Sequence, residues 1–348
     1  MSLFDNIRRV TPYVPGEQPA GEVIKLNTNE CPYAPSPRVA EAIASVGHSR
    51  LRLYPEPDCH TLKDALSAYY GISPKKVFVG VGSDDVLALA FLTFFAGRKP
   101  ILFPDITYSF YDVWAELYGI PYDTVPLSED FTLDPADYAR ENGGIVFANP
   151  NAPTGIELPL AGVEQIISSN PDSVVIVDEA YVDFGGETAL PLLETYENLV
   201  IVRTMSKSRA LAGMRIGYAF AGERLIAAME DVKASINSYT MTTLSLAAGK
   251  AAIEDEAYFR ETLQKVIRTR EHTKAELRRL GFIVTDAKTN FLFAAKPGAS
   301  AEKIFHALRE RGIYVRYFKK PRLDDHLRIT IGTDAEMARL IDALEQLL

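Results

Sequence analysis

Val174-Val175-Ile176-Val177-Asp178-Glu179-Ala180-Tyr181 is a short apolar run that ends in a carboxylate. Such a run suits a buried strand of a parallel sheet, with its C-terminal end opening on a site. Similar runs lie on either side: Ile101-Leu102-Phe103, Ile145-Val146-Phe147 and Leu199-Val200-Ile201-Val202, each feeding a polar loop. Helix-like segments alternate with them from Thr61 to about Phe220. That alternation predicts an α/β chain with a mostly parallel sheet sandwiched by helices. Beyond it, one long helical pattern runs from about Thr243 to Leu280, and its Lys/Arg run reads as a solvated helix face. Two strand runs (Phe282-Ile283-Val284 and Phe291-Leu292-Phe293), a helix from Ala301, two further strands and a closing helix from Asp334 predict a smaller α+β domain. The proline-bearing start reads as an extended arm. The expected division is an arm over 1–30, a large α/β domain over 31–245 and a small domain over 246–348.

Two loops on this frame carry chemistry. In Thr204-Met205-Ser206-Lys207, followed by Arg215, a lysine lies between hydroxyls with an arginine downstream. The amine can form a Schiff base with the aldehyde of pyridoxal phosphate. Thr204, Ser206 and Arg215 can take its phosphate, the arginine as a charge-assisted donor. The other loop, Gly80-Val81-Gly82-Ser83-Asp84-Asp85, lies between an apolar strand and an apolar helix, an arrangement that aims free N–H groups at a phosphate. Ser83 or Asp84 can equally serve as a helix N-cap. The loop has neither a third glycine nor Gly-Lys-Ser/Thr, which disfavours a dinucleotide fingerprint and a P-loop. Asp178 can pair with a protonated pyridine nitrogen and Tyr181 can bond the ring's phenolic oxygen; a solvated strand-end acid is the plainer alternative. A cationic partner would keep Asp178 ionised.

The formal net charge of −9 argues against nucleic acid or an anionic membrane as the main partner. Cys31 and Cys59 have no paired spacing, so neither a disulfide framework nor a zinc site is expected. The first ten residues lack an apolar signal core, and the run Val86 to Ala96 is too short to span a bilayer. A cytoplasmic enzyme is expected, and no metal.

Together, these pieces resemble the fold-type I pyridoxal phosphate aminotransferases, and within them the histidinol-phosphate aminotransferases. The resemblance covers nearly the whole chain. It rests on Leu26-Asn27-Thr28-Asn29-Glu30, Tyr54-Pro55-Glu56-Pro57, Thr107-Tyr108-Ser109-Phe110-Tyr111, Asn149-Pro150-Asn151-Ala152-Pro153-Thr154-Gly155, Asp178-Glu179-Ala180-Tyr181, the lysine segment and Leu327-Arg328-Ile329-Thr330.

The resemblance implies transamination between L-histidinol phosphate and 2-oxoglutarate, with Lys207, Asp178 and Tyr181 catalytic. It implies cofactor contacts from Gly82, Ser83, Asp84, Tyr108, Thr204, Ser206, Arg215 and, across a homodimer interface, Tyr54. Where many relatives carry asparagine before Pro-Thr-Gly this chain has Ala152, which passes the phenolic-oxygen contact to Asn151. Arg328 is implied to grip carboxylate or phosphate, with Tyr13 and Asn27 nearby. A second cation suits a dianion, and Arg316 is placed for it on the preceding strand; pairing of Arg316 with Asp324 or Asp325 is the alternative. An aromatic amino acid aminotransferase and a threonine-phosphate decarboxylase share these motifs and stay open.

Overall fold

The computed structural model of the protein describes residues 3–348. Its strands are β1 (Ile24–Lys25), β2 (Val77–Gly80), β3 (Ile101–Pro104), β4 (Tyr122–Val125), β5 (Ile145–Ala148), β6 (Val175–Asp178), β7 (Leu199–Thr204), β8 (Gly217–Ala221), β9 (Ile283–Val284), β10 (Phe291–Ala295), β11 (Ile313–Tyr314), β12 (Arg316–Tyr317) and β13 (His326–Thr330). Its α-helices are α1 (Pro37–Ser45), α2 (His60–Tyr70), α3 (Ser83–Phe94), α4 (Tyr111–Tyr118), α5 (Leu160–Ser168), α6 (Glu223–Ile236), α7 (Thr243–Glu254), α8 (Glu256–Arg279), α9 (Ala301–Glu310) and α10 (Asp334–Leu347).

The large sheet has the order β2-β8-β7-β6-β5-β3-β4, and only β8 runs against its neighbours. Successive side chains of a strand point to opposite faces, so every central strand feeds two cores. Ile145, Phe147, Val175 and Val177 pack with Leu62 of α2, Ile166 of α5 and Leu246 of α7. Val146 and Ile176 pack with Phe91 of α3, Trp114 of α4 and Met229 of α6. Burial on both faces is why these strands read as continuous apolar runs.

The second sheet, β12-β13-β10-β9, is antiparallel and is packed by α8, α9 and α10. β1 pairs in parallel with β11. Leu26 N–H donates to Tyr314 O at 2.7 Å, and Thr330 N–H donates to Leu26 O at 3.0 Å. These bonds lay Ile24 to Leu26 against β11 and the end of β13.

The predicted single helix over Thr243 to Leu280 is two helices. Asp255 leaves the helical region at φ −98°, ψ 68°, and its side chain caps α8 by accepting from Tyr258 N–H. It also accepts from the Ser36 hydroxyl, the N-cap of α1. A side chain serving two helix starts outcompetes continuation of the backbone ladder. The basic face of α8 is also not wholly solvated, because Arg270 and Lys274 are buried. Arg270 donates to the carbonyls of Phe184 and Thr289 at 2.8 and 2.9 Å, which binds α8 to both parts of the molecule.

Candidate active site

Asp178 ends β6, in register with Ala148 of β5 and Val202 of β7. It is 4 % exposed. Oδ2 accepts from the Tyr111 hydroxyl at 3.0 Å and Oδ1 from Ala180 N–H at 3.1 Å. Burial pushes the carboxyl up to about 6 despite these two bonds, with Asp84 and Glu179 adding negative potential. Among the described residues its bonding partners are neutral, so nothing offsets the cost of burying its charge.

A pH dependence follows. The folded pKa lies above the unfolded one, so the stability Asp178 contributes is present below about pH 4 and is lost as pH rises through 6. Between pH 4 and 7.5 the cofactor-free protein should lose about 2 kcal/mol through this group. Denaturant unfolding of the wild type and Asp178→Asn at both pH values checks it. Parallel changes in the two proteins would refute it.

Between β2 and α3, Gly82 stands at φ 87° as the N-cap, without a side-chain cap bond. The capping alternative for Ser83 or Asp84 is therefore not realised, and the first N–H groups of α3 stay free of a side-chain cap. A Cβ on Gly82 would lie 2.4 Å from Arg215 Nη2, so only glycine lets this guanidinium lie across the helix start. Asp84 accepts from the Tyr108 hydroxyl at 2.7 Å and pairs with Arg215 at 3.3 Å.

A cavity of about 100 Å³ opens here. Ser83, Asp84, Tyr108, Asp178, Tyr181, Ser206, Lys207 and Arg215 line it, with Ala152. Lys207 Nζ lies 5.7 Å from the Tyr181 ring centroid and donates to Thr28 O at 3.3 Å. Helix N–H groups, a serine hydroxyl and a guanidinium form an anion-binding end. The Lys207 amine and the Asp178 carboxylate line the same cavity.

Thr204 and Asn151 do not line this cavity. The Thr204 hydroxyl shapes its own turn, accepting from Ser206 N–H at 3.1 Å and donating to Ile216 O at 3.3 Å. The Asn151 amide is turned into its own loop. Its Nδ2 donates to Ile106 O at 2.9 Å and to Thr154 Oγ1 at 3.1 Å, and its Oδ1 accepts from Thr107 at 3.0 Å. Both Nδ2 donors are thus used to brace its own loop. Ala152 faces the cavity instead.

Beyond Tyr108 and Ala152 lies a wider cavity of about 440 Å³ that reaches Tyr13, Arg316, Lys320 and Arg328. Arg316 and Arg328 face each other in the β12–β13 register. Arg328 Nη2 donates to Asn27 O at 2.9 Å, and its Nε is buried without a partner. Arg316 contacts the Val14 and Pro15 carbonyls at 3.3 and 3.5 Å, not Asp324 or Asp325. Among the described residues neither guanidinium has a carboxylate partner. Burial lowers the Arg328 pKa, and Arg316 lowers it further. Two adjacent cations without a counter-ion make a site that favours an anion. Tyr13 stacks on Phe110 at 4.2 Å beside this cavity. Asn27 is buried, with Nδ2 on Glu17 O at 2.8 Å and Oδ1 unpartnered, and does not line it. Tyr54 lies away from both cavities, 79 % exposed and stacked on Tyr239.

The family description "Aminotransferase class I and II" matches residues 21–344. The chain belongs to this family. It is 55 % identical to "Histidinol-phosphate aminotransferase 2" of Dechloromonas aromatica over 98 % of this chain and 97 % of that one. It is 54 % identical to the histidinol-phosphate aminotransferase of Marinomonas sp. over the full length of both. Among solved structures it is similar to the histidinol-phosphate aminotransferase of Sinorhizobium meliloti in complex with pyridoxal-5'-phosphate. That match has TM-score 0.82 and 26 % identity over 93 % of this chain and 92 % of that one. L-threonine-O-3-phosphate decarboxylase of Porphyromonas gingivalis, at 21 % identity and TM-score 0.80 over 93 % and 99 %, shares the fold.

Three groups of this class I and II aminotransferase escaped the sequence reading. Tyr111, fully buried, bonds Asp178. Asn29 bonds Tyr181 from a remote segment. Glu179 and Arg203 form a buried ion pair at 2.7 Å on the sheet face opposite Asp178. The buried pair was foreshadowed by charges adjoining apolar runs, at Glu179 and Arg203. Tyr111 and Asn29 lie in segments that carried the resemblance, but nothing local gave either of them a role.

Proposed function

We propose that this aminotransferase moves the amino group of L-histidinol phosphate to 2-oxoglutarate, giving imidazole acetol phosphate and L-glutamate. Pyridoxal phosphate is the cofactor, and the step belongs to histidine biosynthesis. The observation that carries the substrate reading is the Arg316–Arg328 pair, two guanidiniums without a carboxylate at the mouth of the cavity. The full-length relatives at 51–55 % identity support it by name.

The residues fit the cofactor by the chemistry of their donors. Ser83, Ser206, Arg215 and the start of α3 would hold its phosphate, with Gly82 keeping the approach clear. Asp178 would hold the ring nitrogen's proton, and Tyr108 would cover the ring. When bound, pyridoxal phosphate supplies an aldehyde that condenses with amines and a ring that accepts the electron pair released at the substrate Cα. Lys207 Nζ, lining the same cavity, would lift the substrate Cα proton and redeliver it as general base and acid. Arg316 and Arg328 orient the substrate through its phosphate in one half-reaction and the carboxylate of 2-oxoglutarate or glutamate in the other.

The enzyme works in the cytoplasm as a symmetric homodimer, in which Tyr54 reaches the partner's cofactor phosphate. Its 79 % exposure, beside exposed Leu51 and Ile236, suits an isologous interface. Among the described residues no helix is long and apolar enough to cross a membrane. The division into a 1–30 arm, a 31–245 large domain and a 246–348 small domain is part of the same proposal.

Single-turnover spectra of the yellow protein test the reading. L-histidinol phosphate should bleach the visible band faster than L-phenylalanine or L-threonine phosphate. In Arg316→Leu the histidinol-phosphate half-reaction should slow about 10- to 100-fold, the value of one charge-assisted contact, and the glutamate half-reaction less. Equal losses would sink the dual-anion role. A preference for phenylalanine, or carbon dioxide from threonine phosphate, would reassign the substrate.

A further inference from the structure

Asn29 is 2 % exposed and stands at φ 57°. Its hydrogen bonds run in one consistent direction. Its backbone N–H donates to Thr330 Oγ1 at 3.0 Å, and the Thr330 hydroxyl donates to Asn29 Oδ1 at 2.9 Å. With Oδ1 accepting from Thr330, Nδ2 faces the Tyr181 hydroxyl at 2.9 Å as a donor. Tyr181 then accepts from Asn29 and keeps its own proton free. Among the described residues nothing else bonds that hydroxyl, and Tyr181 lines the cavity that holds Lys207. The adjoining Thr28 carbonyl accepts from Lys207 Nζ, and Asn290 Nδ2 holds Asn29 O at 3.0 Å. Ala152, also lining the cavity, offers no polar side chain, and the Asn151 amide donors are spent elsewhere.

We infer that Asn29 is a positioning residue, one that fixes the Tyr181 hydroxyl as a hydrogen-bond donor into the cofactor cavity. The inference rests on the reading of Tyr181 as a cofactor contact. It assigns to a remote backbone segment a task that the Asn151-Ala152 loop does not perform. A phenol that gives its proton to the cofactor's ring oxygen favours the form with more negative charge there. Losing that alignment favours the protonated form and raises the pH midpoint of the bound cofactor's visible absorption.

The test is that midpoint, measured in the holoenzyme with melting temperature alongside. Asn29→Gly is at ease at positive φ and should raise the midpoint by about one pH unit, a shift typical of one lost interaction with a charged form. Asn29→Asp keeps the size but turns the donor into an acceptor of the Tyr181 proton; it should raise the midpoint as well, and serves alone if the glycine variant does not fold. Asn29→Gly combined with Tyr181→Phe should match Tyr181→Phe alone, because the two act in series. An unmoved midpoint with a lowered melting temperature would make Asn29 purely structural and overturn the inference. So would shifts that add in the double variant. A wild type without any visible band would defeat the cofactor reading and this inference together, whereas a normal band with an unmoved midpoint defeats this inference alone.

Discussion

Lys207→Ala should give a folded protein without the visible cofactor band, whose amino-transfer half-reactions fall by at least about 10⁴-fold. Lys207 is the only amine lining the inner cavity among the described residues. The other cation there, Arg215, is a guanidinium that stays charged and pairs with Asp84. Neither covalent attachment nor proton transfer at Cα has a second candidate on that wall. Proton transfer by a positioned group alone is worth about 10²–10⁴-fold, and loss of the attachment adds to it. Folding should change little, because the side chain gives up only its bond to the Thr28 carbonyl, about 1 kcal/mol. Absorbance and single-turnover rates check both parts. A retained band, or a loss under tenfold, would move the lysine out of the mechanism.

The second large effect is on stability. Glu179→Ala should lower the unfolding free energy by about 3–5 kcal/mol, the cost of stranding a buried charge. Glu179 Oε2 accepts from Arg203 Nε at 3.0 Å and from Nη2 at 2.7 Å. Oε1 accepts from Ala189 N–H at 2.6 Å and from Thr188 at 3.1 Å. Burial opposes the Arg203 charge, yet Glu179, Tyr70 and Asp183 together hold its pKa above the usual value. Without Glu179 the guanidinium keeps only Asp183 at 3.5 Å, the Tyr70 hydroxyl at 3.2 Å and Thr188 at 2.8 Å. Replacing both partners by apolar residues of similar volume should restore much of the loss. Urea unfolding decides. A loss under about 1 kcal/mol would mean that Asp183 closes on Arg203.

This pair also sits behind the chemistry. Glu179 follows Asp178, Arg203 precedes Thr204, and Asp183 accepts from Ser208, the neighbour of Lys207, at 2.5 Å. The strand ends that present the acid and the amine on one face of the sheet are thus tied together on the other.

Much of this was legible in one dimension. Val175–Asp178 and Leu199–Thr204 are apolar because both faces of a central strand are buried, a demand written into every residue of the run. The glycine at 82 and the lysine and arginine at 207 and 215 carried their chemistry as residue types. Less legible was anything decided by competition between distant groups. Asp255 breaks a continuous helical pattern because Ser36 and the start of α8 both claim its carboxylate. Arg270 reads as a surface charge until the carbonyls of Phe184 and Thr289 surround it.

The parallel sheet, its order of buried runs and the lysine–aspartate–arginine set follow from local composition and periodicity, since apolar patterning and side-chain chemistry belong to the chain itself. The direction of the Asn151 amide, the neutral partner of Asp178, the unneutralised guanidinium pair and the hold of Asn29 on Tyr181 belong to the folded molecule. Each depends on which donor meets which acceptor across tens or hundreds of residues, and on how much water burial removes from the pair. Hydrogen-bond geometry and desolvation are properties of neighbours in space, which the order of residues leaves open.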